Sequence, residues 1–115
     1  MELVPSKFFI TRSSAVSEVS DLNAFDKALI SAGIGEQNLV SVSSVIPIGA
    51  ERVEICEMPM GAVTHCVLAQ MRGTEGETIA AGIAYAYRKD GQGGYVAEGH
   101  IHGSAESLKE ILTWK

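Results

Sequence analysis

Thr78-Ile79-Ala80-Ala81-Gly82-Ile83-Ala84-Tyr85-Ala86-Tyr87 is the stretch on which the fold turns. Read with the two-residue period of a strand, it separates into two unlike faces. Ile79, Ala81, Ile83, Tyr85 and Tyr87 point one way; Ala80, Gly82, Ala84 and Ala86 point the other. One face is bulky and the other almost bare, so the bare face must admit a close neighbour. The two tyrosines are expected to pack beneath a helix.

Working outward, Arg88 to Gly94 contains Asp90-Gly91 and reads as a turn, followed by a strand over Tyr95–His102. Ser104 then caps a helix that carries Leu108, Ile111 and Leu112, with Glu106 well placed in its first turn. That helix is still running at Lys115, which suggests a truncated or naturally shortened chain. On the N-terminal side, Ala62 to Met71 predicts another strand, and Val53 to Cys56 a brief one within an otherwise irregular Gly49–Met60. Asn38 to Ile46 is rich in β-branched residues until Pro47 stops it. Leu22, Phe25, Ala28, Leu29 and Ala32 have helical spacing, with Asp21 or Asn23 as cap and Gly33 as a left-handed end. Ser13 to Ser20 reads as loop and Phe8 to Thr11 as a first strand. Strands in the middle with helices on either side predict a single α+β domain over residues 1–115, with a mainly antiparallel sheet.

Composition narrows the function. With 115 residues, 46% hydrophobic and 20% charged, the chain is ordinary globular material. Its net charge of −5 and lack of a Lys/Arg cluster argue against nucleic acid as a partner, though they suit a cationic ligand. No apolar run approaches the roughly 20 residues that span a bilayer. Met1 to Ile10 does not resemble a signal peptide, so the expected location is cytoplasmic. Cys56 and Cys66 form no CxxC pattern and are read as reduced, and no structural zinc site is expected. His65 and Cys66 lie on opposite faces of a strand and cannot form a dyad, while Met58, Met60 and Met71 read as gap-fillers.

The chemistry centres on Asn38-Leu39-Val40-Ser41-Val42-Ser43-Ser44-Val45-Ile46-Pro47. Adjacent serines at a strand's exit most often mark a turn. They also permit backbone self-processing. The Ser44 hydroxyl can attack the Ser43 carbonyl if the peptide is strained and the carbonyl polarised. Ester formation and β-elimination would then cut the chain and leave a pyruvoyl group at residue 44. Asn38, with an amide able to donate, is a plausible oxyanion partner.

These segments resemble a known family. Leu22-Asn23-Ala24-Phe25-Asp26, Ala32-Gly33-Ile34-Gly35, the Asn38–Pro47 run, Pro59-Met60-Gly61-Ala62 and Gly76-Glu77-Thr78-Ile79 are similar, in order and spacing, to the pyruvoyl-dependent arginine decarboxylases. The resemblance runs from about Phe8 to Glu98. It implies scission between Ser43 and Ser44 into a β chain 1–43 and an α chain 44–115, with Ser44 becoming the covalent pyruvoyl cofactor. It further implies that Asn38 assists processing, Asp26 accepts the substrate guanidinium, Glu98 is the general acid and Val45 lines the pocket. The implied fold is an α/β/β/α sandwich, assembled as a homotrimer with the active site at the interface. The implied reaction takes L-arginine to agmatine and CO₂ through a Schiff base, without metal or pyridoxal phosphate. Asp26 would have to stay ionised to hold a guanidinium, and burial would have to keep Glu98 protonated. Members of the family continue well beyond the position of Lys115.

Two other readings stand beside this one. Glu98, His100 and His102 alternate on a strand and would make a Glu/His/His metal site. Alternatively, the chain is an inactive or truncated homologue that keeps the fold without the activity.

Overall fold

The computed structural model describes residues 3–113. Its elements run β1 (Lys7–Phe8), α1 (Asp21–Ser31), β2 (Asn38–Ser41), β3 (Val45–Ile46), β4 (Glu51–Arg52), β5 (Val63–Cys66), β6 (Ala80–Tyr87), β7 (Gly94–Ile101) and α2 (Ala105–Thr113). The α+β class is therefore as the sequence predicts. The expected mainly antiparallel sheet is matched only by the largest of three small sheets. The strands make three small sheets: β1 with β4, β2 with β5, and β3-β7-β6 in that order. The first two pairs are parallel, and only the third sheet is antiparallel. Hydrophobic periodicity identifies a strand but says nothing about the direction of its partner, so the parallel pairs are not readable from it.

The bare face of β6 has the neighbour it requires. Helix α2 lies on it, with Leu108 and Leu112 buried. A Cβ on Gly82 would come within 3.4 Å of Leu108, and one on the facing Gly99 of β7 within 3.2 Å of both leucines. The small residues thus form a recess for two leucine side chains, which accounts for both the glycines and the helix position. The bulky face is covered differently from expectation. Tyr85 packs edge-on against Phe8 at 5.8 Å and against Tyr87 at 6.0 Å, with Arg52 above its ring. Tyr85 accepts a 3.2 Å hydrogen bond from Arg52, and Tyr87 donates to the Ala50 carbonyl at 3.4 Å. The β1·β4 pair, not a helix, sits over the tyrosines.

Several boundaries move for local reasons. Ser20 rather than Asp21 or Asn23 caps α1, accepting from the Asn23 N–H at 3.0 Å. Gly33 does take the left-handed turn (φ 85°) that ends the helix, and Ile34 N–H reaches back to the Leu29 carbonyl. The predicted Ala62–Met71 strand pairs only over Val63–Cys66, and residues 67–79 have no regular structure apart from a turn at Glu75–Gly76. The first strand covers Lys7–Phe8 only, and Glu51–Arg52 pairs in place of Val53–Cys56. The run Asn38–Ile46 divides into β2 and β3.

The core is small. Ala32, Ile46, Ala50, Leu108 and Leu112 are its buried apolar residues. The accessible surface is 8635 Å², against roughly 6,000 Å² for a self-contained monomer of this mass. Large apolar side chains remain exposed along β2, β3, β5 and the link from β2 to β3, among them Val40, Val42, Val45 and Val63. No helix among the described residues is long and apolar enough to cross a membrane.

Candidate active site

The division between β2 and β3 falls at the serines. β2 runs parallel to β5, pairing Asn38 with Val63 through Ser41 with Cys66, and Val42 N–H adds one further bond to the Cys66 carbonyl at 2.9 Å. The chain then leaves that sheet and joins another. The Ser44 carbonyl accepts from Val96 N–H at 2.9 Å, and Val45 and Ile46 pair antiparallel with Tyr95 and Gly94. Ser43 lies between these two anchorages, and among the described residues no hydrogen bond reaches it. The Ser43–Ser44 peptide is therefore the crossing between two sheets, held on both sides. Ser43 is exposed and Ser44 half-buried.

A glycine permits this approach. Gly93 sits at φ 79°, and a Cβ there would fall 2.5 Å from the Ile46 carbonyl oxygen. Only glycine lets the β6–β7 turn close down on β3 in this way. The sequence marked the segment as a turn, but its role in seating Ser44 was not visible.

Glu98 belongs to this region. Val96 and Glu98 share a face of β7 and stand two residues, roughly 7 Å, apart, and Val96 is the residue whose N–H holds Ser44. Glu98 and His100 line a cleft of about 360 Å³ whose opposite wall is Leu68, Ala69 and Gln70. The expected burial of Glu98 is not met, since the residue is exposed within this chain. The backbone N–H of Val96 and the Leu68–Gln70 wall are site elements that sequence reasoning missed. Neither carries a side-chain motif.

The remaining expected residues lie elsewhere. The Asn38 side chain donates to the Gly61 carbonyl at 2.8 Å and its N–H to the Ala62 carbonyl at 2.9 Å. It stands five residues before Ser43, a separation of about 16 Å along extended chain. Asp26 is exposed on α1, and its side chain makes no hydrogen bond or ion pair among the described residues. The more extensive contacts of the fold join β6 with β7, β2 with β5, α2 with β6 and β7, and β3 with β7; α1 has none of that extent. So Ser43, Ser44, Val45 and Glu98 are brought together, and Asp26 and Asn38 are not. The strain expected at the serines is likewise not seen in φ, because among the described residues only glycines have positive φ.

The Glu98/His100/His102 alternation breaks at its last member. β7 ends at Ile101, and His102 Nε2 lies 2.9 Å from Glu77 instead. Among the described residues no three metal-ligating side chains gather. Glu77 is well engaged: it accepts from the Thr74 hydroxyl and from the Thr74 N–H at 2.8 Å. These bonds, with smaller help from His102, hold its carboxyl below the ordinary glutamate range. Burial pushes the Cys66 thiol up, while Cys56 is exposed, and both are free.

Comparison with known proteins decides the family. Residues 7–115 match the pyruvoyl-dependent arginine decarboxylase family. The chain belongs to that family. It is 42% identical over 79 residues to a pyruvoyl-dependent arginine decarboxylase of Methanothermobacter thermautotrophicus, covering 68% of this chain and 52% of the relative. It is 36% identical over 110 residues to that of Thermococcus kodakarensis, covering 94% and 69%. With the Methanocaldococcus jannaschii protein the figures are 40% over 88 residues, 76% and 53%. The chain thus spans about half the length of several curated relatives it matches. Family membership implies a covalent pyruvoyl group, and the geometry at residue 44 suits one. After a cut at 43–44, β3 would remain paired to β7, so a new terminus at residue 44 would stay beside Val96 and Glu98.

Proposed function

We propose that this chain is the precursor of an arginine decarboxylase that severs itself between Ser43 and Ser44. Ser44 Oγ attacks the Ser43 carbonyl carbon and displaces the amide nitrogen to give an ester. Loss of the Ser44 α-proton then eliminates the Ser43 carboxylate, and one water releases ammonia from the dehydroalanine. The products are residues 1–43 and a pyruvoyl-headed 44–115. The observation that carries this reading is the crossing itself: a Ser–Ser peptide without hydrogen bonds at Ser43, tethered to β5 before it and to β7 after it.

In the mature enzyme the pyruvoyl carbonyl supplies an electron sink for decarboxylation. The chain's own residues supply the rest. Val96 N–H and the β3–β7 pairing fix residue 44, Val45 forms the adjoining wall, and Glu98 delivers a proton to the substrate α-carbon. Asp26 pairs with the guanidinium and Asn38 polarises the Ser43 carbonyl during processing. Because Asp26 and Asn38 stand apart from Ser44 within one chain, the complete site forms between copies, in a trimer whose layers make the α/β/β/α sandwich. The excess surface and the exposed Val45 beside Ser44 support such an assembly, as exposed apolar area of this size calls for a partner. It would bury Glu98, and the enzyme would act on L-arginine in the cytoplasm.

Intact mass under denaturing conditions tests the proposal. Two pieces are expected, the second lighter by one ammonia than simple hydrolysis would leave it. Ser44→Ala should abolish the cut and the production of agmatine, whereas Glu98→Gln should leave the cut intact and slow turnover. A chain that stays whole under conditions where it is folded would sink the proposal and leave an inert homologue.

A further inference from the structure

Helix α1 carries Asp26 but buries no residue of its own, so core packing does not fix its orientation. Its position depends on a few side-chain ties. Two act near its C-terminal end: Thr11 Oγ1 donates to the Ala32 carbonyl at 2.8 Å, and the Ser13 hydroxyl donates to the Ala28 carbonyl. At the other end the Ser17 hydroxyl donates to the Asn23 side-chain oxygen at 2.7 Å, and the tie from far along the chain is Arg72. Its guanidinium lies over the Phe25 ring, 4.8 Å from the centroid, and one of its nitrogens stands 3.7 Å from the Asp21 carboxylate. Phe25 immediately precedes Asp26.

Arg72 also looks the other way. It donates from Nε to the Gln70 side-chain oxygen at 3.2 Å, and Gln70, with Leu68 and Ala69, is the wall that faces Glu98 and His100 across the cleft. Residues 67–79 have no strand or helix to set their course, so this segment is placed by its ends. One end follows β5; the other is pinned by Glu77, which binds Thr74 and His102 at the close of β7. Arg72 joins the middle of that strap to α1.

We propose that Arg72 is a positioning residue for substrate binding: it fixes α1, and with it Asp26, relative to the Leu68–Gln70 strap of its own chain, and so sets where Asp26 stands in a site completed by a neighbouring copy. A planar, permanently charged side chain suits the task, because it can stack on Phe25 while pairing with Asp21 and bonding Gln70. Lysine could keep the charge pairing but not the stacked plane. The inference rests on the reading in which Asp26 receives the guanidinium.

The test combines kinetics with amide exchange on full-length, processed protein. Arg72→Met should raise KM for arginine on the order of tenfold, below the roughly hundredfold that a full 1 Å misplacement can cost. Scission at Ser43–Ser44 and kcat should stay within about twofold. Arg72→Lys should recover part of the loss. Amide exchange across Leu22–Lys27 should quicken in Arg72→Met. In an Asp26→Asn background, Arg72→Met should add almost nothing, since the two act through one contact. An unchanged KM in Arg72→Met, or effects that simply multiply, would overturn the positioning role. An unchanged KM in Asp26→Asn would instead overturn the assignment of Asp26. Should the wild type prove inactive, the exchange data decide alone, and unaltered exchange in α1 would end the inference.

Discussion

Helices α1 and α2 are of similar length and begin alike, yet they are held in opposite ways. Each has a serine cap: Ser20 accepts from Asn23 N–H at 3.0 Å, and Ser104 accepts from Ser107 N–H at 3.1 Å. Helix α2 then drives Leu108 and Leu112 into the recess made by Gly82 and Gly99. Helix α1 has no fully buried residue, only a half-buried face with Phe25 and Leu29, and depends more on polar ties and one stacked arginine. The half of the molecule around β6, β7 and α2 is a packed unit that carries Ser44, Val45 and Glu98. The half around α1 and β2 carries Asp26 and Asn38 and is packed only lightly. The two groups of candidate residues thus differ in what places them within the chain: core packing for one, surface ties for the other.

The largest effect should come from cutting into the packed unit. Leu112→Ala removes a buried side chain from the recess and should cost about 2–5 kcal/mol. Ile30→Ala, at an exposed site on α1, should change stability by no more than about 0.5 kcal/mol. Urea unfolding of both variants checks the contrast; equal losses would mean that α1 is packed after all.

The recess itself gives a finer test. A Cβ on Gly99 would stand 3.2 Å from Leu108 and Leu112, closer than side chains normally come, so Gly99→Ala should cost about 1–3 kcal/mol. On Gly82 the nearest atoms are at 3.4 and 3.6 Å, ordinary contact distances. Gly82→Ala should therefore be neutral or stabilise by up to about 1 kcal/mol, through the lower entropy of the unfolded chain. The same substitution at paired positions should differ in sign, as measured by urea midpoints. A loss at both would place α2 closer to β6 than the structure does.

How much of this was legible in the sequence follows the same division. The small-residue face of Ala80–Ala86 announced a close neighbour, and α2 is there, because a strand's alternation directly encodes packing depth. The Asp90-Gly91 turn and the Gly33 helix end were readable for a similar reason, each being a local conformational demand. What covers Tyr85 was not readable, since Phe8 and Arg52 reach it from far along the chain. The serine pair stood out in the sequence as a candidate, but its place at the crossing of two sheets depends on Val96 N–H and on Gly93, groups without a side-chain signature. Asp26 was singled out only through family resemblance and Asn38 through its amide chemistry as well, and within one chain nothing gathers them at Ser44.

A smaller effect is expected in the caps. Ser20→Ala should weaken α1 by about 1 kcal/mol. With no core to hold it, that helix should fray, and exchange at Leu22–Ala24 should quicken visibly. Ser104→Ala removes a similar bond from α2, but Leu108 and Leu112 should keep that helix seated and its exchange nearly unchanged. If the two caps proved equally damaging, packing would not be what separates the helices.

The subtlest test concerns Glu77, which pins the strap to the end of β7 from the surface. The bonds from Thr74, and then His102, favour the charged carboxylate and lower its pKa. The sign of the pH dependence follows. A depressed carboxyl stabilises its surroundings at pH above the unfolded-chain value of about 4.3, and that contribution fades as pH falls through the lowered one. Overall stability should barely respond, because the group is exposed and screened by water. The local reporter is the Thr74 amide, whose proton resonance should hold steady down to the ordinary glutamate range and shift only below it. In Glu77→Gln that low-pH shift should vanish, and the amide should exchange faster at neutral pH. A Thr74 resonance that titrates at or above the ordinary glutamate value would show that Glu77 is not bound there. The strap, and the cleft wall it carries, would then lack their tie to β7.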